Sequence, residues 1–242
     1  MMRTLNFAKR NLKEIIRDPL SIIFAVLLPL FLLFIFQQFK IPSEVYKLNN
    51  FTPGIILFSF SFVTLFTATL VAKDRETSLL IRLGVSPMKP FEYIIGYMLS
   101  IIPIVIIQNI LFFTLAIILG LKFSLSIILT IFVSLLISLL FIFLGILIGS
   151  ITKVKSASGV SSVVVQVVCF TSGMYFSNDL VGSFFAKICD ILPFSHALNI
   201  IRNVLNMSGL SILDIMVVLG YIILVLIIAI YTFNKKMISD NK

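Results

Sequence analysis

Residues 73–87 read KDRETSLLIRLGVSP and form the densest cluster of charge in an otherwise apolar chain. In the first half of this stretch, leucines and charged residues recur at a spacing that predicts a short amphipathic helix. Gly84 and Pro87 are expected to end that helix, because glycine and a residue before proline both disfavour helical backbone. Since two long apolar runs flank the stretch, it predicts either a helix that docks on a partner or on lipid, or a solvated loop between two membrane helices.

The composition indicates a membrane protein with a single domain. The 242 residues are 60% hydrophobic and 12% charged, with a mean hydropathy of +1.16, whereas about a quarter of the residues of a soluble domain are charged. At about 20 apolar residues per helix, this content is enough for roughly six transmembrane helices. No polar segment is long enough to fold separately, so we predict one transmembrane domain over residues 1–242.

Six apolar runs, bounded by charged, glycine or proline residues, place the predicted transmembrane helices. Pro29 is expected to kink the first helix, and Pro53 is expected to stand in the first turn of the second. Residues 73–87 then connect the second and third helices. The six predicted spans are residues 20–38, 53–72, 91–120, 124–150, 157–176 and 212–233.

The distribution of the net charge of +9 is typical of a multi-pass membrane protein. With both termini placed in the cytoplasm, 14 of the 19 Lys and Arg residues fall in segments predicted to lie inside and 5 fall outside. This asymmetry follows the positive-inside rule. A nucleic-acid-binding protein would instead gather its cations on one face, so we expect no nucleic acid partner and predict a location in the cell membrane.

The N-terminal segment, residues 1–18, is predicted to be an amphipathic helix that lies in the membrane interface. Its basic side would face anionic headgroups, so membrane lipid is an expected partner. A cleavable signal is excluded, because the following apolar run is too long and lacks a small-residue cleavage site. The basic residues are Arg3, Lys9, Arg10, Lys13 and Arg17, and the apolar residues are Leu5, Ala8, Leu12, Ile15 and Ile16.

Residues 177–207, between the fifth and sixth predicted spans, are too apolar for an exposed loop and too interrupted for a continuous span. They predict one or two short helices that re-enter the outer leaflet, a backbone arrangement that is tolerated only when it packs against protein. Pro193, His196 and Arg202 are the candidate functional residues of this region. His196 and Arg202 either contact a substrate headgroup or form an interfacial pair.

Polar residues inside the predicted spans form a second candidate set. Gln108 and Asn109 in the third span and Gln166 in the fifth either line a substrate path or hydrogen-bond across helices, and we favour the second role. Gly145-x-x-x-Gly149 in the fourth span predicts close packing against another helix of the same chain.

The sequence contains no pattern for catalysis or metal binding. The G-x-x-x-x-G-K-[ST] motif that holds ATP phosphates is absent, and His196 is the single histidine. A proton-coupled carrier is disfavoured because no carboxylate falls in the middle of a predicted span. An intramembrane hydrolase is disfavoured because the spans lack acid or base partners for their hydroxyl groups. We therefore predict no catalytic residue and no metal or cofactor bound by this chain.

Residues 76–87 resemble the segment that follows the second transmembrane helix of ABC-2 type permeases, the membrane subunits of ATP-driven exporters. In that family the segment runs roughly Glu-x-Gly-Thr-Leu-Glu-x-Leu-x-x-Ser/Thr-Pro and forms the coupling helix that docks on the ATPase. The matching positions are Glu76, Leu80, Leu83, Ser86 and Pro87, and the departures are Ser78, Leu79 and Ile81.

A second resemblance to the same family begins at the end of the fifth predicted span. Residues 172–176 read Ser-Gly-Met-Tyr-Phe and are similar to the Ser-Gly-aromatic motif that closes the fifth helix of the family. Leu192-Pro193 and Arg202 follow in the family's order, and Ser177 stands where the family often has proline. The Pro53-Gly54 pair also resembles the family's entry into the second helix.

The resemblance implies the membrane subunit of an ABC exporter that moves a hydrophobic or amphipathic substrate, such as a drug, a peptide or a lipid-linked molecule, out of the cytoplasm. Two such subunits, identical or homologous, would pair above separate ATPase subunits that bind ATP and Mg²⁺. The alternative is a membrane channel not driven by ATP, or an immunity or scaffold protein. The coupling residues implied by the resemblance are Arg75, Glu76, Leu79, Leu80, Arg82 and Leu83.

Overall fold

The computed structural model describes residues 2–19, 23–39, 41–77, 89–175 and 182–240, with side chains as far as residue 236. The described residues form α-helices joined by short turns, and none of them forms a strand, which confirms the predicted all-α fold. The helices are α1 (Met2–Ile16), α2 (Leu28–Gln38), α3 (Leu48–Glu76), α4 (Pro90–Ile118), α5 (Leu125–Ile151), α6 (Val154–Thr171), α7 (Ser183–Ile191), α8 (Pro193–Leu205) and α9 (Ile212–Asp240).

Five of the described helices, α3, α4, α5, α6 and α9, are long and apolar enough to cross a membrane. The first predicted span is described from Ile23, as a π-helical turn (Ile23–Leu27) followed by α2. Pro29 is the second residue of α2, separated from the π-helical turn by Leu28, and so stands where the backbone changes from π-helical to α-helical. Proline is tolerated in the first turn of an α-helix. Helices α7 and α8 meet at a bend of 75°, so they form either a re-entrant pair or one broken span.

The helix of the second predicted span begins one turn earlier than the sequence predicts. α3 starts at Leu48 because the carbonyl of Lys47 accepts hydrogen bonds of 2.8 Å from the N–H groups of Asn50 and Phe51. Pro53 therefore lies inside the helix, and its predicted place in the first turn is wrong. Proline lacks the N–H that would continue the hydrogen-bond ladder at this point.

The other end of α3 extends beyond the predicted span. The helix continues to Glu76, so residues 73–76 are its last turn and belong to the same helix as the second span. The rest of the predicted coupling stretch, from residue 78 onward, lies outside the described residues.

α3 is the central helix, and it packs most extensively against α5 and α6. The approach of α5 depends on two glycines. A Cβ atom at Gly145 would lie 2.7 Å from the carbonyl oxygen of Thr64, and one at Gly149 would lie 2.5 Å from the carbonyl oxygen of Ala68. This close contact within one chain confirms the packing predicted from the Gly145-x-x-x-Gly149 spacing.

α1 packs on the first half of α4. The ring of Phe7 meets the rings of Tyr93 and Tyr97 edge to face, and it occupies the space beside Gly96. Phe7, Ala8 and Ile15 are buried, whereas Leu5 and Ile16 of the predicted apolar side remain more than half exposed. The contact surface of α1 is therefore turned toward Phe7, which the predicted apolar side did not include.

The bundle has two ends that are recognised by the short helices packed there. We call the end that carries α1 the α1 end, and the end that carries α7 and α8 the hairpin end. Helix α9 connects them: Asp214 near its start hydrogen-bonds to His196 of α8, whereas Phe233 packs on Tyr97 of α4. The start of α3 lies at the hairpin end and its last turn at the α1 end.

Candidate functional site

The last turn of α3 carries four consecutive charged residues, Lys73 to Glu76, and we call the last three of them, Asp74, Arg75 and Glu76, the junction. Asp74 follows Leu70 by four residues, so it continues the buried side of the helix, and its side chain is fully buried. Successive residues of a helix are turned by about 100°, so the other two side chains point toward different neighbours. The junction stands directly before residues 78–88.

Asp74 joins α3 to two other helices. One carboxylate oxygen, Oδ1, accepts a 2.9 Å hydrogen bond from Nη1 of Arg10 in α1, and Oδ2 accepts a 2.9 Å bond from the hydroxyl of Tyr97 in α4. A buried carboxylate is tolerated when its oxygens are hydrogen-bonded and its charge is paired. Asp74 therefore fixes α1 and α4 to the end of α3.

Glu14 of α1 extends this network toward the surface. Its two carboxylate oxygens lie 2.8 Å from Nη2 of Arg10 and 2.6 Å from Nζ of Lys73. Lys73 is more than half exposed, and exposed ion pairs contribute little to stability. The buried contact of Asp74 is therefore the stronger of the two links between α1 and α3.

Arg75 binds the end of α5. Its Nη1 donates to the carbonyl oxygens of Gly149, at 3.0 Å, and Thr152, at 3.3 Å. The last carbonyls of a helix have no partner within the helix, and they carry the negative end of the helix dipole. A guanidinium group at this position satisfies them and holds the end of α5 against α3.

Glu76 binds the start of α6. Its Oε1 accepts a 3.0 Å hydrogen bond from the backbone N–H of Val154, the first residue of α6. A carboxylate is favourable at a helix N-terminus, where N–H groups lack partners and the dipole is positive. Arg75 and Glu76 thus hold the two sides of the short turn between α5 and α6.

Arg202 makes the corresponding link at the hairpin end. Its Nε donates to the carbonyl oxygen of Asn50 in the first turn of α3, at 3.0 Å, and its Nη2 donates to that of Gly173 just beyond α6, at 3.2 Å. Together with Glu76, this contact fixes α3 and α6 to each other at both ends.

The other two residues predicted in the outer region, His196 and Pro193, have structural roles within this chain. His196 is buried, and its ring nitrogens face Oδ1 of Asp214 at 2.5 Å and the carbonyl oxygen of Asp190 at 2.8 Å. Pro193 is the first residue of α8, a position that suits proline because the N–H it lacks would have no partner there.

The polar residues predicted in the spans occupy two different environments. Gln108 and Asn109 are fully buried: Gln108 donates to the carbonyl of Ala25 in the π-helical turn, and Asn109 accepts a bond from Ser134 of α5. Gln166 is exposed on the outer side of α6. The three side chains therefore do not line one common surface.

The cations predicted in the N-terminal segment also occupy two different environments. Of the five cations predicted on the basic side of residues 1–18, Arg3, Lys9, Lys13 and Arg17 are exposed, whereas Arg10 is paired with Asp74 and Glu14. Among the described residues, no group of three or more His, Cys, Asp or Glu side chains is arranged to hold a metal ion. The predicted coupling residues outside the described part of the chain are Leu79, Leu80, Arg82 and Leu83.

Asp74 and Tyr97 are the residues that sequence reasoning missed. The signal for Asp74 was its spacing, because it continues the apolar side of α3 formed by residues such as Leu70. A carboxylate on the buried side of an apolar helix requires a partner from elsewhere in the chain.

Comparisons with known proteins agree with this architecture. No curated protein matches the chain. The family described as ABC-2 type transporter matches residues 4–206, a range that extends from α1 to α8 and includes the junction, Arg202 and both motifs that resemble the family. Because the match covers most of the chain, the protein belongs to the ABC-2 type transporter family and is a multi-pass membrane permease subunit of an ABC-type transporter.

Proposed function

We propose that this chain is the membrane-spanning subunit of an ATP-driven exporter in the cell membrane, with both termini in the cytoplasm. ATP and Mg²⁺ would bind to a separate ATPase subunit, because the sequence lacks the motif that holds ATP phosphates. The substrate would be hydrophobic or amphipathic, such as a drug, a peptide or a lipid-linked molecule. Family membership and the apolar helices support this proposal.

The observation that carries the proposal is the junction. Asp74, Arg75 and Glu76 connect the end of α3 to α1, α4, α5 and α6 within one helical turn. The other residues of the proposed ATPase contact, Leu79, Leu80, Arg82 and Leu83, follow within a few positions. A force applied there would reach four other helices through short hydrogen bonds.

The contacts support a division of the helices into two bodies. α3 is fixed to α6 at both ends, by Glu76 and Arg202, and it packs on α5 through Gly145 and Gly149. We therefore propose that α3, α5 and α6 tilt as one body when the ATPase subunits close. In this mechanism α1 and α4 form a second body, joined to the first at Asp74.

A second permease subunit, identical or homologous, would face the outer side of α6. Ser158, Ser162 and Gln166 repeat every four residues along this helix, and all three are exposed. A glutamine amide facing lipid lacks hydrogen-bond partners, which makes this side costly to leave against hydrocarbon. Two such helices facing each other would enclose a path with polar groups along it.

Copurification of an ATPase from the protein's own host, in mild detergent, tests this proposal. The wild-type chain is expected to carry a stoichiometric P-loop subunit. Replacing residues 79–83 with a Gly/Ser linker, which leaves the junction intact, is expected to release that subunit. A matched Gly/Ser replacement of residues 41–43, at the hairpin end, should retain it.

Loss of the subunit from the first variant alone would support the coupling assignment. A folded, dimeric preparation that carries no ATPase would contradict the proposal and favour the channel, immunity or scaffold alternative. Retention of the ATPase by both variants would mean that its binding site lies elsewhere.

A further inference from the structure

α1 separates two adjoining recesses of opposite chemistry. On one side, between α1 and the last turn of α3, lies an open polar recess of about 720 Å³ whose lining includes Lys9, Lys13 and Arg17. On the other side lies an apolar cavity of about 190 Å³, bounded by α1, the π-helical turn, α3 and α4. Leu12 and Ile16 line the apolar cavity.

The polar recess has an excess of positive charge. Its lining holds five cations, which are Lys9, Arg10, Lys13, Arg17 and Lys73, and two carboxylates, which are Glu14 and Asp18. Glu14 is already engaged by Arg10 and Lys73. Lys9, Lys13 and Arg17 are exposed. The recess therefore favours an anion.

The apolar cavity has a lining suited to hydrocarbon. All nine side chains around it are apolar, and they include Ile15, Phe66 and Pro103. Ile16 and Ile107 stand on its border and are 56% and 54% exposed, so it opens toward the surroundings of the bundle. An apolar cavity of about 150 Å³ accommodates benzene, so this one is large enough for a segment of an acyl chain.

Consecutive residues at the end of α1 line the two different recesses. Leu12 lines the apolar cavity and Lys13 the polar recess, and Ile16 and Arg17 repeat this arrangement one turn later. An occupant that filled both would carry an anionic group and a hydrocarbon chain. Helix α1 is amphipathic and basic, as expected of a helix in the membrane interface, where such molecules are abundant.

We propose that this region binds an anionic phospholipid, with its phosphate on Lys13 and Arg17 and one acyl chain in the apolar cavity. The lipid would fill the space between α1, the π-helical turn and α4, and so hold α1 in the position where Arg10 reaches Asp74. Binding requires only that α1 lies in the membrane interface, so it is independent of ATP-driven transport.

The absence of tryptophan from the sequence gives a direct test. Ile16→Trp places one fluorophore at the border of the cavity, where brominated lipids quench its emission. In bilayers of phosphatidylcholine, brominated phosphatidylglycerol is expected to quench about fivefold more effectively than brominated phosphatidylcholine, on the scale of one cation near an anionic lipid surface. Leu136→Trp, on the exposed side of α5, is the control and should show no preference.

A second set of variants assigns the preference to the cations. Lys13→Gln with Arg17→Gln, in the Ile16→Trp background, should remove the preference for the anionic lipid, whereas Arg3→Gln should leave it largely unchanged. Equal quenching by the two lipids in the Ile16→Trp protein, or a preference that persists without both cations, would overturn the proposal. Ile107→Trp, on the opposite border of the cavity, gives the same readout if Ile16→Trp does not fold.

Discussion

Glu76 accepts a 3.0 Å hydrogen bond from the backbone N–H of Val154, so the last residue of α3 binds the first residue of α6. The two residues are 78 positions apart in the chain. Glu76 is also the first residue of the stretch that resembles the coupling segment of ABC-2 permeases. This residue therefore has a structural partner inside the permease, and it stands where the proposed ATPase contact begins.

Glu76→Leu is expected to loosen the start of α6, because it removes both the acceptor and the negative charge at the helix N-terminus. The loss should be about 1 kcal/mol, measured as a lower unfolding midpoint in detergent. Glu76→Gln, which keeps an acceptor oxygen, should lose less than half of that amount. Equal effects of the two substitutions would contradict the role assigned to the hydrogen bond.

Asp74→Ala is expected to be the most destabilising change in the junction. It leaves the buried hydroxyl of Tyr97 without its acceptor and Arg10 without its buried partner. Because Arg10 is partly exposed, we expect a loss of about 2–3 kcal/mol, below the range for fully buried pairs. Tyr97→Phe, which removes one hydrogen bond, should cost about 1 kcal/mol. A loss for Asp74→Ala no larger than that for Tyr97→Phe would show that the Arg10 contact adds nothing.

Gly149→Ala is expected to separate α3 from α5. The added Cβ would lie 2.5 Å from the carbonyl oxygen of Ala68, a backbone atom that cannot turn away. Such overpacking costs about 1–3 kcal/mol. Gly159→Ala in α6 is the control, because no atom lies within 4 Å of the added Cβ and alanine favours helix more than glycine by about 1 kcal/mol. Unchanged thermal stability of Gly149→Ala would contradict the close packing.

Arg202→Lys is expected to weaken the link between α3 and α6 at the hairpin end. The guanidinium group reaches two carbonyl oxygens with two different nitrogens, whereas an ammonium group cannot reproduce that geometry. A loss of about 1–2 kcal/mol in thermal stability is expected, with Arg202→Met at or above the upper end of that range. Full stability of the lysine variant would indicate that charge alone is sufficient.

Gln166→Cys tests the proposed pairing of two permease subunits along α6. In a background without the two native cysteines, the variant is expected to form a disulfide-linked dimer in native membranes. Leu136→Cys, on the exposed side of α5, should remain monomeric under the same oxidation. Cross-linking at Leu136 and its absence at Gln166 would place the partner on the other side of the bundle.

The class of the fold follows directly from the sequence, because long apolar runs interrupted by charge and proline leave few other structures. The partners of Asp74 cannot be predicted from the sequence in the same way. Arg10 is 64 positions away, and only the packing of α1 on α4 brings it near. Gln108 and Gln166 show the same limit of prediction from sequence. Both residues interrupt apolar helices, but one is buried inside the bundle and the other faces outward, because the neighbouring helices decide which side is covered.

Pro53 shows why helix boundaries are hard to place from sequence. Proline is common in the first turn of helices, yet here the helix begins at Leu48. The earlier start is stabilised by the carbonyl of Lys47, and Arg202 fixes the first turn through Asn50. Both contacts outweigh the local preference of proline, and the partner Arg202 comes from a distant part of the chain.

Distances between spin labels show whether α3 and α6 move as one body, as we propose. Lys73 and Lys155 are exposed at the α1 end, on α3 and α6, and Phe91 is exposed on α4. Cysteines at these positions, in a background without native cysteines, allow one pair within the proposed body and one pair across its boundary. The labels would be measured in the purified complex with its ATPase, before and after addition of ATP and vanadate. We expect an unchanged distance between positions 73 and 155 and a changed distance between positions 91 and 155. A change within the first pair as large as that in the second would contradict the movement of α3 and α6 as one body.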